Sequence, residues 1–170
     1  MKDINLNRNK KLDGTFLFFT HSAAPIGFGI PMITTGIGLL KKDSLLTRKG
    51  LYLGASYIGA MGAAVVLKYI INRERPFVTY PYLEKMVSEN SPSFPSGHST
   101  SAFASATSLS LAFPKWYVIA PSFVWASGVA YSRMHLGVHY PSDVIAGAII
   151  GAGSAYICHY INKWLANRKR

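Results

Sequence analysis

Gly50–Leu67, GLYLGASYIGAMGAAVVL, runs for 18 residues without a charge and stops at Lys68. A bilayer core of about 30 Å takes roughly 20 helical residues, and about 17 suffice. The pattern recurs on both sides of this stretch. Gly14–Leu40, Asn90–Pro114, Trp116–Ser132 and Val144–Asn162 are also free of Asp, Glu, Lys and Arg. Five such blocks predict an all-α, polytopic transmembrane helical bundle of five transmembrane helices. A soluble bundle would need polar faces along most of its helices, whereas here the charges fall between the blocks. Gly54, Gly59, Gly62, Ala102, Ala106, Gly147 and Gly151 are small enough for helices to pack closely in lipid.

Composition agrees. Of 170 residues, 49% are hydrophobic and only 15% charged, a low charge fraction for a soluble chain. The balance is +11. Nucleic acid would call for a basic face or a recognisable module, and neither is present. Lys41, Lys42, Arg48 and Lys49, then Lys163, Arg168, Lys169 and Arg170, instead flank apolar blocks, as cations do at membrane edges. Membrane lipids are therefore the expected surroundings and nucleic acid is not an expected partner. Cys158 stands alone inside an apolar block and supports neither a disulfide nor a thiolate metal site. The first block is longer than a signal-peptide core and is expected to remain as an anchor.

Two parts are expected: a polar or interfacial segment over residues 1–13 and a single transmembrane domain over 14–170. The first helix is predicted over about Phe16–Leu40, with Pro25 and Pro31 kinking it or breaking its start. The second runs over about Gly50–Asn72. A loop of about 20 residues follows, of the length that is commonly functional. The third begins near Gly97 or His98 and ends before Pro114. The fourth covers Trp116 to Ser132 or beyond, and the fifth starts near Pro141, a favourable first-turn residue.

Alternation of these helices sends the end of the second, the start of the third, the end of the fourth and the start of the fifth to one side. The polar residues with chemistry in them sit at those four places. Lys68 and Arg75 are seven residues apart, about two helical turns, and share a face if the helix persists. Arg133 brings a third cation. Charges at a membrane edge need a partner, and a phosphate suits three cations. Arg73 reads instead as an interface residue reaching for water. Ser96, Gly97 and His98 open a helix, where free amides favour an anion and Gly97 lets the backbone come close. Asp143 follows His139 by four residues, a spacing that lets a carboxylate orient an imidazole. Each feature has a plainer reading as a cap or a buried pair, but their convergence favours a phosphate site. His135 lies next to the cluster, outside the catalytic set, with a neighbouring structural or substrate role.

Three segments resemble the signature of the type 2 phosphatidic acid phosphatase (PAP2) superfamily: Lys68-Tyr-Ile-Ile-Asn-Arg-Glu-Arg75-Pro76, then Pro95-Ser96-Gly97-His98, then Ser132-Arg133 through His139 to Asp143. They occur in family order across 76 residues, Lys68 to Asp143. The resemblance implies that His139 is the nucleophile, Asp143 its orienting partner and His98 the general acid. It further implies that Lys68, Arg75, Ser96, Gly97 and Arg133 bind phosphate, with no cofactor and no metal. The implied substrate is a phosphorylated or pyrophosphorylated lipid, cleaved through a phosphohistidine. The short architecture is similar to bacterial members, compact lipid A phosphatases among them. A phosphatase of soluble esters and a non-enzymatic phospholipid-binding or transport protein are the alternatives. The predicted non-site face carries nine basic residues against Asp43 alone. The positive-inside tendency therefore puts the site on the outer, periplasmic face of a bacterial cytoplasmic membrane. Lys2, Arg8, Lys10 and Lys11 pull the other way, and the pattern fixes no oligomeric state.

Overall fold

The computed structural model describes residues 2–168 and is helical throughout, with no strand among them. Lys169 and Arg170, counted above with the non-site cations, lie outside the described residues. A short α1 (Lys2–Leu6) and a 3-10 turn (Lys10–Leu12) lead into α2 (Asp13–Leu40) and α3 (Ser44–Ile71). A single turn, α4 (Pro76–Thr79), precedes a long irregular stretch, and α5 (Gly97–Ala112), α6 (Trp116–His135) and α7 (Pro141–Asn167) complete the bundle.

The expectation of five transmembrane helices is corrected to three. Among the described residues, only Lys10–Leu40, Ser44–Thr79 and Pro141–Asn167 are long and apolar enough to cross a membrane. Freedom from charge was the misleading criterion, because a segment without charges is not thereby apolar. α5 has 16 residues, which at 1.5 Å per residue is about 24 Å, short of the hydrocarbon core. It is also rich in hydroxyls, and Ser99, Thr100, Ser101, Thr107 and Ser108 are buried in the bundle. α6 ends on Arg133 and His135, both buried. The spanning helices turn apolar side chains outward, including Phe28 and Met32 on α2, Ile58 and Val66 on α3, and Ile149 and Ile157 on α7.

Local chemistry explains most boundaries. α3 starts six residues before the charge-free block because Asp43 caps it, accepting from the amides of Leu45 and Leu46 at 3.0 Å each. Asn72, in the left-handed region at φ 44°, ends it. α2 continues through Pro25 and Pro31; of the two expectations there, a kink or a broken start, the broken start does not occur.

α5 occupies the middle, packing against α2, α3, α6 and α7. Ala102 and Ala106 meet Ala23 of α2 and Ala126 and Val129 of α6 in one core cluster. On the α7 side small residues set the approach. A Cβ on Gly147 would stand 2.7 Å from the Ser96 carbonyl oxygen and 3.1 Å from the Ser99 Cβ. That closeness brings the start of α5 beside the start of α7, and the Ser96 amide donates to the Asp143 carbonyl at 3.0 Å.

The N-terminal residues are tied into this frame. Asn5 is fully buried and donates to the carbonyls of Glu84 and His135, both at 3.1 Å, while the Glu84 amide donates back to it at 3.0 Å. Arg8 pairs with Asp13 at 3.1 Å and Glu84 at 2.6 Å. The irregular stretch after α4 is thereby fastened at Glu84, and Ser93 fastens its far end, its amide donating to the Arg73 carbonyl at 2.8 Å.

Candidate functional site

A cavity of about 310 Å³ opens where the ends of α3 and α6 meet the starts of α5 and α7. Of the eight residues singled out above, Lys68, Arg75, Gly97, His98 and His139 line it directly. Its other wall is apolar, with Ala23 and Ala24 from α2 and Tyr57, Met61 and Val65 from α3. Polar groups on one side and two spanning helices on the other give the cavity an amphiphilic lining.

His139 sits in the turn between α6 and α7, almost fully buried, with its two ring nitrogens in different surroundings. Nδ1 is 3.5 Å from Asp143 Oδ2 and Nε2 is 3.3 Å from Arg75 Nη1. Asp143 belongs to the first turn of α7, and Pro141 at that turn's start presets the backbone. Its carboxylate is held on every side. Oδ2 accepts from Ser93 Oγ at 2.6 Å and from the Tyr140 amide at 3.0 Å, and Oδ1 accepts from Arg73 Nη1 at 2.8 Å. The carboxylate therefore has little freedom to turn away from the imidazole.

Arg75 is the hub of the cations. Its Nε donates to the Ser91 carbonyl at 2.8 Å, Nη1 to the Val138 carbonyl at 3.1 Å, and Nη2 to Glu89 Oε2 at 3.1 Å. Arg133, 1% exposed, does not line the cavity but stands behind it. It donates through Nη2 to Glu89 Oε1 and through Nη1 to Thr20 Oγ1, while its Nε has no hydrogen-bond partner among the described residues. Lys68 Nζ reaches the Pro92 carbonyl.

The start of α5 divides its duties. Gly97 and His98 face the cavity. Ser96 is buried and serves as the cap: its Oγ accepts from the Ser99 amide at 3.4 Å and from Ser99 Oγ at 3.0 Å. With its own amide engaged by Asp143, Ser96 anchors the loop against α7.

Electrostatics keep both imidazoles neutral. Burial lowers His139 to about 4, with Arg133, Arg75 and Lys68 adding to the effect against the opposing pull of Asp143. Burial likewise lowers His98 to about 3, with Arg133 adding to it and Glu89 opposing it. Glu89 is raised by its own desolvation, but Arg133 and Arg75 outweigh this and leave it below the usual carboxylate range.

Four participants escape a reading of the sequence alone. Glu89, Ser91 and Ser93 lie in a stretch with no periodicity, and no spacing marks them. Arg73 was expected at the interface, yet it pairs with Asp143 and lies over the Tyr140 ring at 3.9 Å. His135 keeps its structural place, 2.7 Å from Asp13 and 4.3 Å from the Phe16 ring centroid. Among the described residues no group of three or more His, Cys, Asp or Glu is arranged to hold a metal ion.

Three spanning helices around a buried cluster of arginines, lysine and histidines define an integral membrane protein built to handle an anion. The chain belongs to the PAP2 superfamily, whose model matches residues 49–166. It is 34% identical over 159 residues to the undecaprenyl-diphosphatase of Sulfolobus acidocaldarius, covering 92% of this chain and 73% of that one. Two crystal structures share the fold at 27% identity. LpxE of Aquifex aeolicus superposes with a TM-score of 0.75, covering 94% of this chain and 92% of that one. The PAP2-type phosphatidylglycerolphosphate phosphatase of Bacillus subtilis superposes with a TM-score of 0.79, covering 95% and 82%. Several other curated relatives match over a part only, the chain spanning about half of their length. Membership makes this a membrane phosphatase in the general sense.

Proposed function

We propose that the chain removes a terminal phosphate from a phosphorylated or pyrophosphorylated lipid through a phosphohistidine on His139. The observation that carries this is the split environment of that ring. Nδ1 is turned to a carboxylate fixed by three donors, which leaves the Nε2 lone pair, 3.3 Å from Arg75 Nη1, as the nucleophilic one. A neutral imidazole is a nucleophile, and burial keeps His139 neutral.

Nε2 attacks phosphorus, the bond to the lipid oxygen breaks, and the proton that oxygen needs comes from His98. Asp143 stabilises the charge that develops on the His139 ring. Lys68, Arg75 and Arg133 stabilise the equatorial oxygens, with the Gly97 backbone close by. Water then attacks phosphorus, His98 takes its proton, the N–P bond breaks, and phosphate leaves. His98 is held neutral by burial and Arg133; a phosphate dianion in the cavity supplies the counter-charge that lets it carry a proton.

The apolar wall of Ala23, Ala24, Met61 and Val65 supports a lipid over a soluble ester. It lets a tail lie between α2 and α3 with the headgroup at the cations. The site is proposed to face the outer side of a bacterial cytoplasmic membrane, with residues 14–170 acting as one phosphatase domain.

The test is phosphate release in detergent from a panel of lipid monophosphates, lipid pyrophosphates and water-soluble esters, with His139→Ala as control. Release that depends on His139 and prefers lipids is expected. Release untouched by the substitution would sink the proposal, and a preference for soluble esters would move the assignment to the alternative substrate class.

A further inference from the structure

Glu89 occupies the place where the three-cation site would be expected to hold its ligand. One carboxylate oxygen takes Arg75 Nη2 at 3.1 Å and the other takes Arg133 Nη2, so a single anion bridges two guanidiniums, one lining the cavity and one behind it. Nothing in helical geometry puts it there. Glu89 arrives on the irregular stretch after α4, and that stretch is fastened on both sides of it, at Glu84 by Arg8 and Asn5 and at Ser93 by Asp143 and Arg73. Ser91, between the two, adds its carbonyl and hydroxyl to Arg75 at 2.8 and 3.2 Å. The carboxylate is thus delivered to the arginines by a braced loop.

The bridge is also incomplete. Arg133 Nε is buried and has no partner among the described residues, although Glu89 engages the neighbouring Nη2. A buried donor left unpaired is costly, and Glu89 does not reach this one. A group with more oxygens than a carboxylate is better able to satisfy it. Glu89 also lines a second cavity of about 380 Å³, together with Asn72, Arg73, Glu74, Phe77 and Asn90, so there is space beside it on the side away from His139.

We propose that Glu89 is a specificity-determining residue, an internal carboxylate that competes for the phosphate position and yields to a terminal phosphate dianion but not to a phosphodiester. This rests on the phosphate-site reading above. A monoester or terminal pyrophosphate group carries nearly two charges and three non-bridging oxygens, so it outbids the carboxylate on charge and supplies the oxygen that Arg133 Nε lacks. A phosphodiester headgroup carries one charge and two non-bridging oxygens, as Glu89 itself does, and gains nothing by replacing it. Diester phospholipids surround any enzyme in a membrane at very high local concentration. A site of bare arginines would be filled by them, and the internal carboxylate keeps them out at the expense of some affinity for substrate.

The experiment measures binding rather than turnover. Inorganic phosphate at pH 8, and phosphatidylglycerol in mixed micelles, are titrated against the full chain in detergent and against Glu89→Gln. The expected result is that Glu89→Gln binds inorganic phosphate at least tenfold more tightly and gains saturable binding of phosphatidylglycerol that the unsubstituted protein lacks. Glu89→Asp, which keeps the charge but is one methylene too short to bridge both arginines, is expected to fall between, and it serves if the glutamine variant does not fold. Phosphate affinity unchanged or weaker in the variants, or phosphatidylglycerol excluded from all of them alike, overturns the proposal. Because no hydrolysis is read, a protein that shows these shifts yet cleaves no phosphorylated lipid would sustain the role of Glu89 and sink the proposed reaction.

Discussion

The site has two kinds of wall. One is carried by helix ends: Lys68 on α3 and His98 on α5 at the cavity, with Arg133 on α6 and Asp143 on α7 behind them. The other is carried by the irregular stretch between α4 and α5, which contributes Glu89, Ser91 and Ser93. The helix-borne groups are held by packed neighbours such as Gly147 against Ser96 and Ser99, and their positions follow from the fold. The loop-borne groups are held only by hydrogen bonds and ion pairs to the helix-borne ones. The proposed chemistry is assigned to the first wall and the tuning to the second, so substitutions on the two should differ in size and in kind.

The largest effect is expected on the helix side of the turn that holds His139. His139→Ala removes the proposed nucleophile and should lower turnover by roughly 10⁴-fold or more, as loss of a covalent catalyst does. Phosphate release from a lipid phosphate measures it, and acid-labile phosphate on the unsubstituted protein, absent from the variant, identifies the intermediate. A drop of only tenfold would place the nucleophile elsewhere.

Next comes Arg133→Lys. The charge survives, but the planar fork that reaches Glu89 and Thr20 together does not. A fall of about 10²-fold in kcat/KM is expected, the usual scale for losing one positioned donor to a developing oxyanion. Equal activity of the two proteins would mean that Arg133 acts as a point charge alone.

Much of the helix-borne wall was legible in the sequence. Lys68, His98, Arg133, His139 and Asp143 fall at or beside the predicted helix ends, and the structure brings those ends together; Arg75 was expected to share a helical face with Lys68, whereas α3 stops at Ile71 and Arg75 reaches the cavity from the turn before α4. The number of spanning helices was not legible in the same way. Counting charge-free residues treats the hydroxyls of α5 as though they were apolar, and only burial shows that Ser99, Thr100, Thr107 and Ser108 meet other helices. The loop wall was illegible for a different reason. Glu89 and Ser93 act through contacts with residues 44 and 50 positions away in sequence, and irregular backbone has no period from which such contacts could be inferred.

A pH experiment probes the two histidines together. Both have folded values lowered from 6.5, to about 4 for His139 and about 3 for His98. Between 6.5 and about 4 the unfolded chain binds protons that the folded chain does not, so stability falls as pH falls through that window. Each fully depressed histidine contributes about 1.4 kcal/mol per pH unit there. Thermal unfolding in detergent should lose midpoint steadily from pH 6.5 to 4, and His98→Gln should flatten the slope. An unchanged slope in that variant would show that His98 is not the group being titrated.

On the loop wall, Ser93→Ala removes one of three donors to Asp143 and leaves the Tyr140 amide and Arg73 in place. A loss of about tenfold in kcat is expected, one hydrogen bond to a charged group being worth about 1.5–3 kcal/mol and part of it being recovered by the remaining donors. KM should hardly move, since Ser93 touches Asp143 rather than the cavity. A rise in KM instead would make Ser93 a substrate contact.

The smallest effect is expected farthest along the loop. Glu84 is half exposed and pairs with Arg8 and Lys10, and exposed ion pairs contribute little to stability. Glu84→Gln should therefore leave the unfolding midpoint nearly in place. Its backbone still receives Asn5, so the loop keeps one anchor. What should change is the grip of the loop on Glu89: if the brace at Glu84 holds the carboxylate over the arginines, loosening it makes Glu89 easier to displace. Phosphate affinity should then rise by about twofold, in the same direction as for Glu89→Gln and well short of it. A fall in affinity would mean that the loop supports the anion site instead of competing for it, and the contrast between the two walls would fail.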